Sequence, residues 1–204
     1  MGHDLTHEPT AALLGPALGL LELKSVARGV VAADAMAKRA MVRLVLAHPV
    51  SPGKFIILLN GGEEEVAEAM GAGQAAASDT LVDRLYLPKV DPQVISALEG
   101  GVAVTEARAL GTVETFSVAA AVLAADRAVK AAEVLLVQMR LARGLGGKAF
   151  FHLTGDLHQV QAGVEAARGI IHDGMLLTTE IIPRPHPDLI ALLLGQGAVP
   201  PTHG

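Results

Sequence analysis

The sequence of 204 residues contains no cysteine. This absence excludes disulfides, thiolate nucleophiles and the usual cysteine ligation of iron–sulfur clusters. Tryptophan is also missing, and aromatic residues make up only 2 % of the chain. The core must therefore be built from Ala, Val, Leu, Ile and Met, whose small side chains give each element little area to bury. We expect extensive contacts between subunits to make up that shortfall.

Charged residues are scarce as well, at 18 %, whereas hydrophobic residues reach 51 %, which excludes a disordered chain. The formal net charge of −5 and the lack of a basic cluster argue against a nucleic-acid partner. No uncharged apolar run reaches the roughly 18 residues that a membrane helix needs. The first ten residues lack the pattern of a secretory signal. We therefore expect a cytoplasmic protein with no membrane partner.

What the chain does contain is a long internal repeat. The stretch 17–40, ALGLLELKSVARGVVAADAMAKRA, returns as 109–132, ALGTVETFSVAAAVLAADRAVKAA, with 13 of 24 positions identical. The shared polar positions are Glu22 and Glu114, Ser25 and Ser117, Asp34 and Asp126, and Lys38 and Lys130. The chain is thus a duplication of two domains of roughly 90 residues, and units of that size are expected to pack against each other.

Both repeats predict the same order of secondary-structure elements. A buried apolar strand leads to a serine N-cap and an amphipathic helix. Two strands, a second helix, a last strand and a short helix follow. In the first repeat we expect the two strands at 42–47 and 55–59, joined by a stiff loop at 48–54, the second helix from 63 to about 77 and the last strand at 81–87. The order βαββαβα predicts the α+β class, a ferredoxin-like four-stranded antiparallel sheet flanked by helices in each domain. We divide the chain into a flexible leader at 1–16, a first domain at 17–100, a linker at 101–108 and a second domain at 109–204.

Catalytic and metal-binding patterns are not found. Glu22 and Glu114 resemble paired carboxylates, but no His or Lys stands at a matched spacing, so we expect them to accept backbone hydrogen bonds. The eight histidines form no HxH or HExxH motif, and no nucleophile elbow, phosphate loop or dinucleotide fingerprint occurs. We predict no catalytic residue, no metal, no cofactor and no enzymatic activity.

Two short loops occupy equivalent places in the two halves. They read Ser51-Pro52-Gly53-Lys54 and Leu145-Gly146-Gly147-Lys148. Glycine allows close backbone packing or N–H groups that point into a narrow space. From spacing alone the loops are either ordinary hairpin turns or, if several copies converge on a symmetry axis, the rim of an opening.

The strings ALGLLELKS with AADAMAKRA, ALGTVETFSV with AADRAVKAA, and IIPRPH at 181–186 resemble bacterial microcompartment shell proteins. SPGKFIILLNGG and GLGGKAFFHLTGD fit the loop-strand pattern of the tandem-domain, unpermuted class, in which the propanediol-utilisation member is the most similar. The resemblance implies a homotrimer whose six BMC domains form a pseudohexagonal tile. Such tiles pack edge to edge with other shell proteins, both hexamers and pentamers, in the shell that encloses a metabolic pathway.

The resemblance also assigns residues to the tile edge and to the pore. It implies edge contacts at Lys38, Lys130, Lys89, Arg184 and His186, with LPKVD departing from the IPRPH pattern. Lysine suits an edge because its stem lies along apolar surface while the ammonium donates to carbonyls of a neighbour. Around the threefold axis it implies a pore lined by Ser51, Pro52, Gly53, Leu145, Gly146 and Gly147.

One departure bears on the pore. In the propanediol relative the position of Ser51 is a cysteine that binds an iron–sulfur cluster, and a serine hydroxyl is a poor iron ligand. We therefore expect an open or water-filled pore for small polar metabolites. Lys54 and Lys148 either bias that pore towards anions or extend to solvent. The alternatives are a metal or iron–sulfur electron relay and a duplicated ligand-binding or sensory protein.

Overall fold

The computed structural model describes residues 15–142, 144–172 and 174–194, so most of the expected leader lies outside the described residues. The first domain consists of β1 (Ala17–Leu23), α1 (Val26–Arg39), β2 (Val42–Val50), β3 (Lys54–Gly61), α2 (Glu63–Ala77), β4 (Leu81–Leu87) and α3 (Pro92–Leu98). The second consists of β5 (Ala109–Thr115), α4 (Val118–Ala131), β6 (Leu135–Leu141), β7 (Ala149–Gly155), α5 (Leu157–Ile170), β8 (Leu176–Pro183) and α6 (Pro187–Leu193).

Each domain contains one four-stranded antiparallel sheet. The strand orders are β2-β3-β1-β4 and β6-β7-β5-β8, so both sheets have the same topology. The central strand β1 is buried along its whole length, as its apolar sequence predicts. The α+β class and the order βαββαβα are confirmed in both halves.

The expected boundary between β2 and its loop was wrong. The sequence favoured a strand that ends at Ala47, with His48 and Pro49 already in a stiff loop. Instead β2 continues to Val50, and Pro49 stands opposite Phe55 on β3. Proline is tolerated here because β2 is an edge strand, which leaves one side without a ladder hydrogen bond to make.

Serine caps begin the first helix of each domain. The Ser25 hydroxyl accepts a hydrogen bond from the Arg28 amide, and the Ser117 hydroxyl accepts one from the Ala120 amide, both at 3.3 Å. These bonds satisfy an amide of the first turn that has no partner within the helix. The repeated serines therefore have the predicted structural role.

Small residues allow the helices to pack closely over the sheets. In the first domain α1 lies against α2, and a Cβ at Gly73 would come within 2.5 Å of the Met36 sulfur. In the second domain alanines from α4 fill the equivalent space, among them Ala121, Ala124, Ala125 and Ala128. An interior poor in aromatic residues is thus filled by close approach of backbones instead of by large rings.

One hydrophobic cluster contains buried residues of both domains, and a second cluster lies within the first domain alone. Helix α4 of the second domain packs against β1 and β4 of the first, and α3 of the first packs against β6 of the second. The connecting segment follows the second domain, because the amides of Val102 and Val104 donate to the carbonyls of Val137 and Leu194. Gly101 has a positive φ of 74°, and a Cβ there would collide with the Val137 carbonyl.

Candidate functional site

Polar contacts between the domains follow helix α4 from its first turn to its last. They are Ser117 Oγ to Asp83 Oδ2 at 2.8 Å, the Asp91 amide to Asp126 Oδ1 at 2.8 Å, and Lys130 Nζ to the Lys89 carbonyl. Lys130 Nζ also pairs with Asp126 Oδ2 at 2.7 Å. The helix therefore lies along β4 and the loop after it, with a polar contact at each end.

The apolar stripe between these contacts is covered in α4 and uncovered in α1. Val122 is fully buried, whereas its counterpart Val30 is 56 % exposed. The other stripe positions show the same difference in burial. Those on α4 are buried, and their counterparts on α1 are exposed: Val118 and Val26, Ala119 and Ala27, Asp126 and Asp34, and Val129 and Ala37. The first domain covers the stripe of α4, whereas among the described residues of one chain the stripe of α1 meets no equivalent surface.

The surface that would match α1 lies on the second domain. It consists of β8 and the loop 184–186, the counterparts of β4 and the loop 89–91. Ile182 on β8 and Leu192 on α6 are both exposed. One chain thus presents an uncovered helix stripe on its first domain and an uncovered acceptor surface on its second.

The five predicted edge residues fall into two groups. Lys130 and Lys89 meet through the Lys89 carbonyl. Lys38 forms only an exposed ion pair with Asp34 at 2.7 Å among the contacts described. Arg184, whose φ is 48°, donates its amide to the Arg108 carbonyl, and the His186 ring accepts from the Asp188 amide at the start of α6. The structure does not bring Lys38 to Arg184 or His186 within the described parts of one chain.

The two predicted pore loops lie side by side. A Cβ at Gly147 would stand 3.4 Å from the Ser51 carbonyl oxygen and 3.5 Å from Pro52 Cδ. Gly53, Gly146 and Gly147 all have a positive φ, so each turn favours glycine for its backbone conformation, although a Cβ at Gly53 or Gly146 would meet nothing within 4 Å. Ser51, Pro52, Gly53 and Gly146 are exposed, Leu145 is half-buried and Gly147 is buried. The loops therefore form one continuous, mostly exposed surface segment within a chain.

The expectation for Glu22 and Glu114 was wrong. In the contacts of the described residues, each carboxylate instead binds the lysine at the end of one of the two predicted pore loops. Lys54 Nζ lies 2.7 Å from Glu22 Oε1, and Lys148 Nζ lies 3.0 Å from Glu114 Oε1. Glu22 stands opposite Ile56 on β3, which points Lys54, two residues earlier, to the same face of the sheet. The lysines are therefore partnered, an arrangement that neither sequence-based alternative described.

One cross-strand row that is apolar in the first sheet is polar in the second. In the first domain Leu20 stands opposite Leu58, whereas in the second Thr112 stands opposite His152. His152 is only 8 % exposed, and its Nδ1 lies 2.9 Å from the Thr112 hydroxyl. Burial, aided by the charge of Arg140, lowers the pKa of His152 from 6.5 to about 4. The ring is therefore neutral near pH 7.

The described residues contain neither a candidate metal site nor a membrane-spanning helix. Within 15–142, 144–172 and 174–194, no group of three or more His, Cys, Asp or Glu side chains is placed to hold a metal ion. Over the same ranges no helix has the length and apolar character to cross a membrane.

Two tandem α+β domains of one topology, joined by a shared hydrophobic cluster and carrying loops at matched places, define a class of internally duplicated two-domain proteins. The family model of the BMC domain matches residues 17–90 and 109–185, and the chain belongs to this family. The predicted family, in its tandem-domain form, is confirmed. The two matched segments correspond to the two sheets with their first and second helices.

Individual relatives are similar over one or both domains. The chain is 42 % identical to the bacterial microcompartment shell protein PduT of Citrobacter freundii, over 85 % of this chain and 95 % of that protein. It is 40 % identical to the carboxysome shell protein CcmK2 of Synechocystis sp., over 40 % of this chain and 80 % of that protein. A solved microcompartment protein from Desulfitobacterium hafniense has a TM-score of 0.81 and 43 % identity, covering 85 % of this chain and 97 % of its own.

Proposed function

We propose that this protein is a structural tile of a bacterial microcompartment shell, a homotrimer of six domains that encloses a pore, and not an enzyme. Relatives that share one or both of its domains are shell proteins by name. The observation that carries the trimer is the uncovered stripe of α1, whose counterpart on α4 is fully covered by the neighbouring domain.

The contact between the domains of one chain serves as a template for the contact between chains. It is heterologous, since a helix of one domain meets a strand edge of the other, and such a contact repeats around a ring when the rotation closes. In the trimer, α1 of one chain lies along β8 of the next. Two domains per chain and the six-domain tile of the family then require three chains.

The same template gives partners to the predicted edge residues. Lys38 donates to the Arg184 carbonyl of the next chain, as Lys130 donates to Lys89 within the chain. Asp34 accepts from the His186 amide, as Asp126 accepts from Asp91. An ammonium has three N–H donors, and two of them are used in this arrangement. The third is available to a carbonyl of a neighbouring tile in the shell.

The adjacent loops form the pore of the tile. Ser51 and Gly147 lie next to each other within a chain, so three chains alternate SPG and LGG segments around the axis. Exposed backbone groups and the Ser51 hydroxyl favour small polar metabolites. An iron–sulfur cluster does not fit these residues, because Ser51 presents a hydroxyl and the chain has no cysteine. The tile would act within the cytoplasm, in the shell beside other shell proteins.

Light scattering on the purified protein tests the trimer. We expect a mass three times that of the 21.0 kDa chain across the micromolar range. A monomer at every concentration would contradict the ring, because the α1 stripe would then stay uncovered.

A further inference from the structure

Both candidate pore loops end on a lysine held by a glutamate. Lys54 comes directly after Ser51-Pro52-Gly53 and binds Glu22, and Lys148 comes directly after Leu145-Gly146-Gly147 and binds Glu114. The glutamates come from β1 and β5, the central strands of the sheets. The pairing is thus present twice, although the loop sequences themselves differ.

The glutamates are the less exposed partners. The Glu22 side chain is only 2 % exposed, against 29 % for Lys54, and Glu114 is less exposed than Lys148. A carboxylate so deeply buried needs its counter-charge, so Lys54 is bound to a fixed group. Because each lysine is the last residue of its loop, the ion pair also fixes the end of that loop.

Among the described residues, the other charges on the sheet faces beside the loops cancel. Asp83 stands opposite Glu22 on β4 and adds a negative charge, and Arg140 stands near the end of β6 and adds a positive one. With the two ion pairs neutral, the described side chains on these faces carry no net charge. A ring of six lysines without these glutamates would instead present a strongly positive throat.

We propose that Glu22 and Glu114 determine the charge selectivity of the pore. By neutralising Lys54 and Lys148 they prevent the opening from concentrating anions, so it admits neutral polar molecules and small ions of either sign alike. Charged rings around a narrow opening select ions through their field, and paired charges remove that field. This inference rests on the proposed pore.

Ion selectivity of the trimer in a planar lipid bilayer tests the inference. Under a potassium chloride gradient, the reversal potential reports the ratio of chloride to potassium permeability. We expect a ratio near one for the unaltered protein. Glu22→Gln combined with Glu114→Gln frees six lysines per trimer and should raise the ratio at least about threefold. Lys54→Met combined with Lys148→Met leaves six unpaired carboxylates and should lower it.

Two controls distinguish a change of charge at the pore from a change of surface charge and from loss of the trimer. Glu64→Gln combined with Glu165→Gln adds the same charge on exposed surfaces of α2 and α5 and should leave the ratio unchanged. Solution mass and thermal unfolding identify any variant that no longer forms trimers, and the other charge variant, from whichever pair still forms trimers, then decides. Strong anion selectivity in the unaltered protein, or equal ratios in all variants, would overturn the role of the glutamates. No current from any trimer would overturn the pore itself.

Discussion

Ser117 binds both domains at once. Its hydroxyl donates to the Asp83 carboxylate of the first domain at 2.8 Å and accepts from the Ala120 amide of its own helix at 3.3 Å. Ser25 makes only the second of these bonds within one chain. One side chain therefore begins a helix and docks it on the neighbouring domain. The equivalent serine has a docking partner only if a second chain supplies it.

Replacing these serines separates capping from docking. Ser117→Ala removes the cap and a hydrogen bond to a charged acceptor, so the free energy of unfolding should fall by about 2 kcal/mol or more. Ser25→Ala should cost about 1 kcal/mol in dissociated chains, since it removes a cap alone. Urea unfolding of dilute protein measures both. Equal losses would show that the bond to Asp83 contributes nothing.

The exposed stripe of α1 predicts where assembly can be blocked. Val30→Asp would bury an unpaired charge between chains, which costs several kcal/mol, so the trimer should dissociate at micromolar concentration. The chain itself should stay folded, because Val30 is exposed within it. Light scattering and circular dichroism measure the two effects.

Ala35→Asp provides the matched control for that variant. Position 35 corresponds to Arg127, which stays exposed on α4 beside the docked domain. A charge at this position should therefore leave the trimer intact. Dissociation by both variants, or by neither, would remove α1 from the interface.

The lysines at 38 and 130 predict a defect in tile packing. Lys38→Ala combined with Lys130→Ala should leave trimers intact and stop sheet formation. Each lysine also donates to one carbonyl within the proposed trimer, but the apolar stripes of α1 and α4 remain and should hold the chains together. Lys24→Ala removes a similarly exposed charge and should still form sheets. Electron microscopy distinguishes the variants, and sheets from the double variant would exclude an edge role.

The buried histidine predicts how stability depends on pH. The unfolded chain binds a proton at His152 near pH 6.5, but the folded chain does so only near pH 4, because burial lowers the pKa. The contribution of His152 to the free energy of unfolding is fully present above pH 6.5 and is lost as the pH falls towards 4. The loss reaches about 3 kcal/mol. Urea unfolding at a series of pH values measures it.

A double variant isolates this histidine from the other acid-titrating groups. Thr112→Leu combined with His152→Leu recreates the pair that Leu20 and Leu58 form in the first domain. Its stability should fall less steeply than that of the unaltered protein between pH 6.5 and 4. Identical slopes would mean that His152 is not responsible.

Much of the fold is predictable because both halves of the repeat carry the same sequence signals for the same order of elements. The serines at 25 and 117 mark the starts of two helices, and α2 and β4 begin and end at the predicted residues. The end of β2 was missed because Pro49 looked like a loop residue, and only the edge position of that strand makes it acceptable.

Contacts between residues that are distant along the chain could not be predicted from the sequence. Lys54 reaches Glu22 because β1 and β3 are neighbours in one register, which spacing along the chain does not reveal. Docking of α4 depends on how two folded domains meet. One signal was present: Asp34 and Asp126 recur at matched helix positions, and Asp126 accepts a bond across the domain boundary.

Negative-stain electron microscopy of the concentrated, unaltered protein tests the shell tile most directly. If three chains close into a six-domain tile that packs edge to edge, the images should show flat sheets with hexagonal order. Single discs with a central opening should appear in dilute samples. A protein that remains a monomer, or that forms open filaments and never discs, would contradict the closed ring.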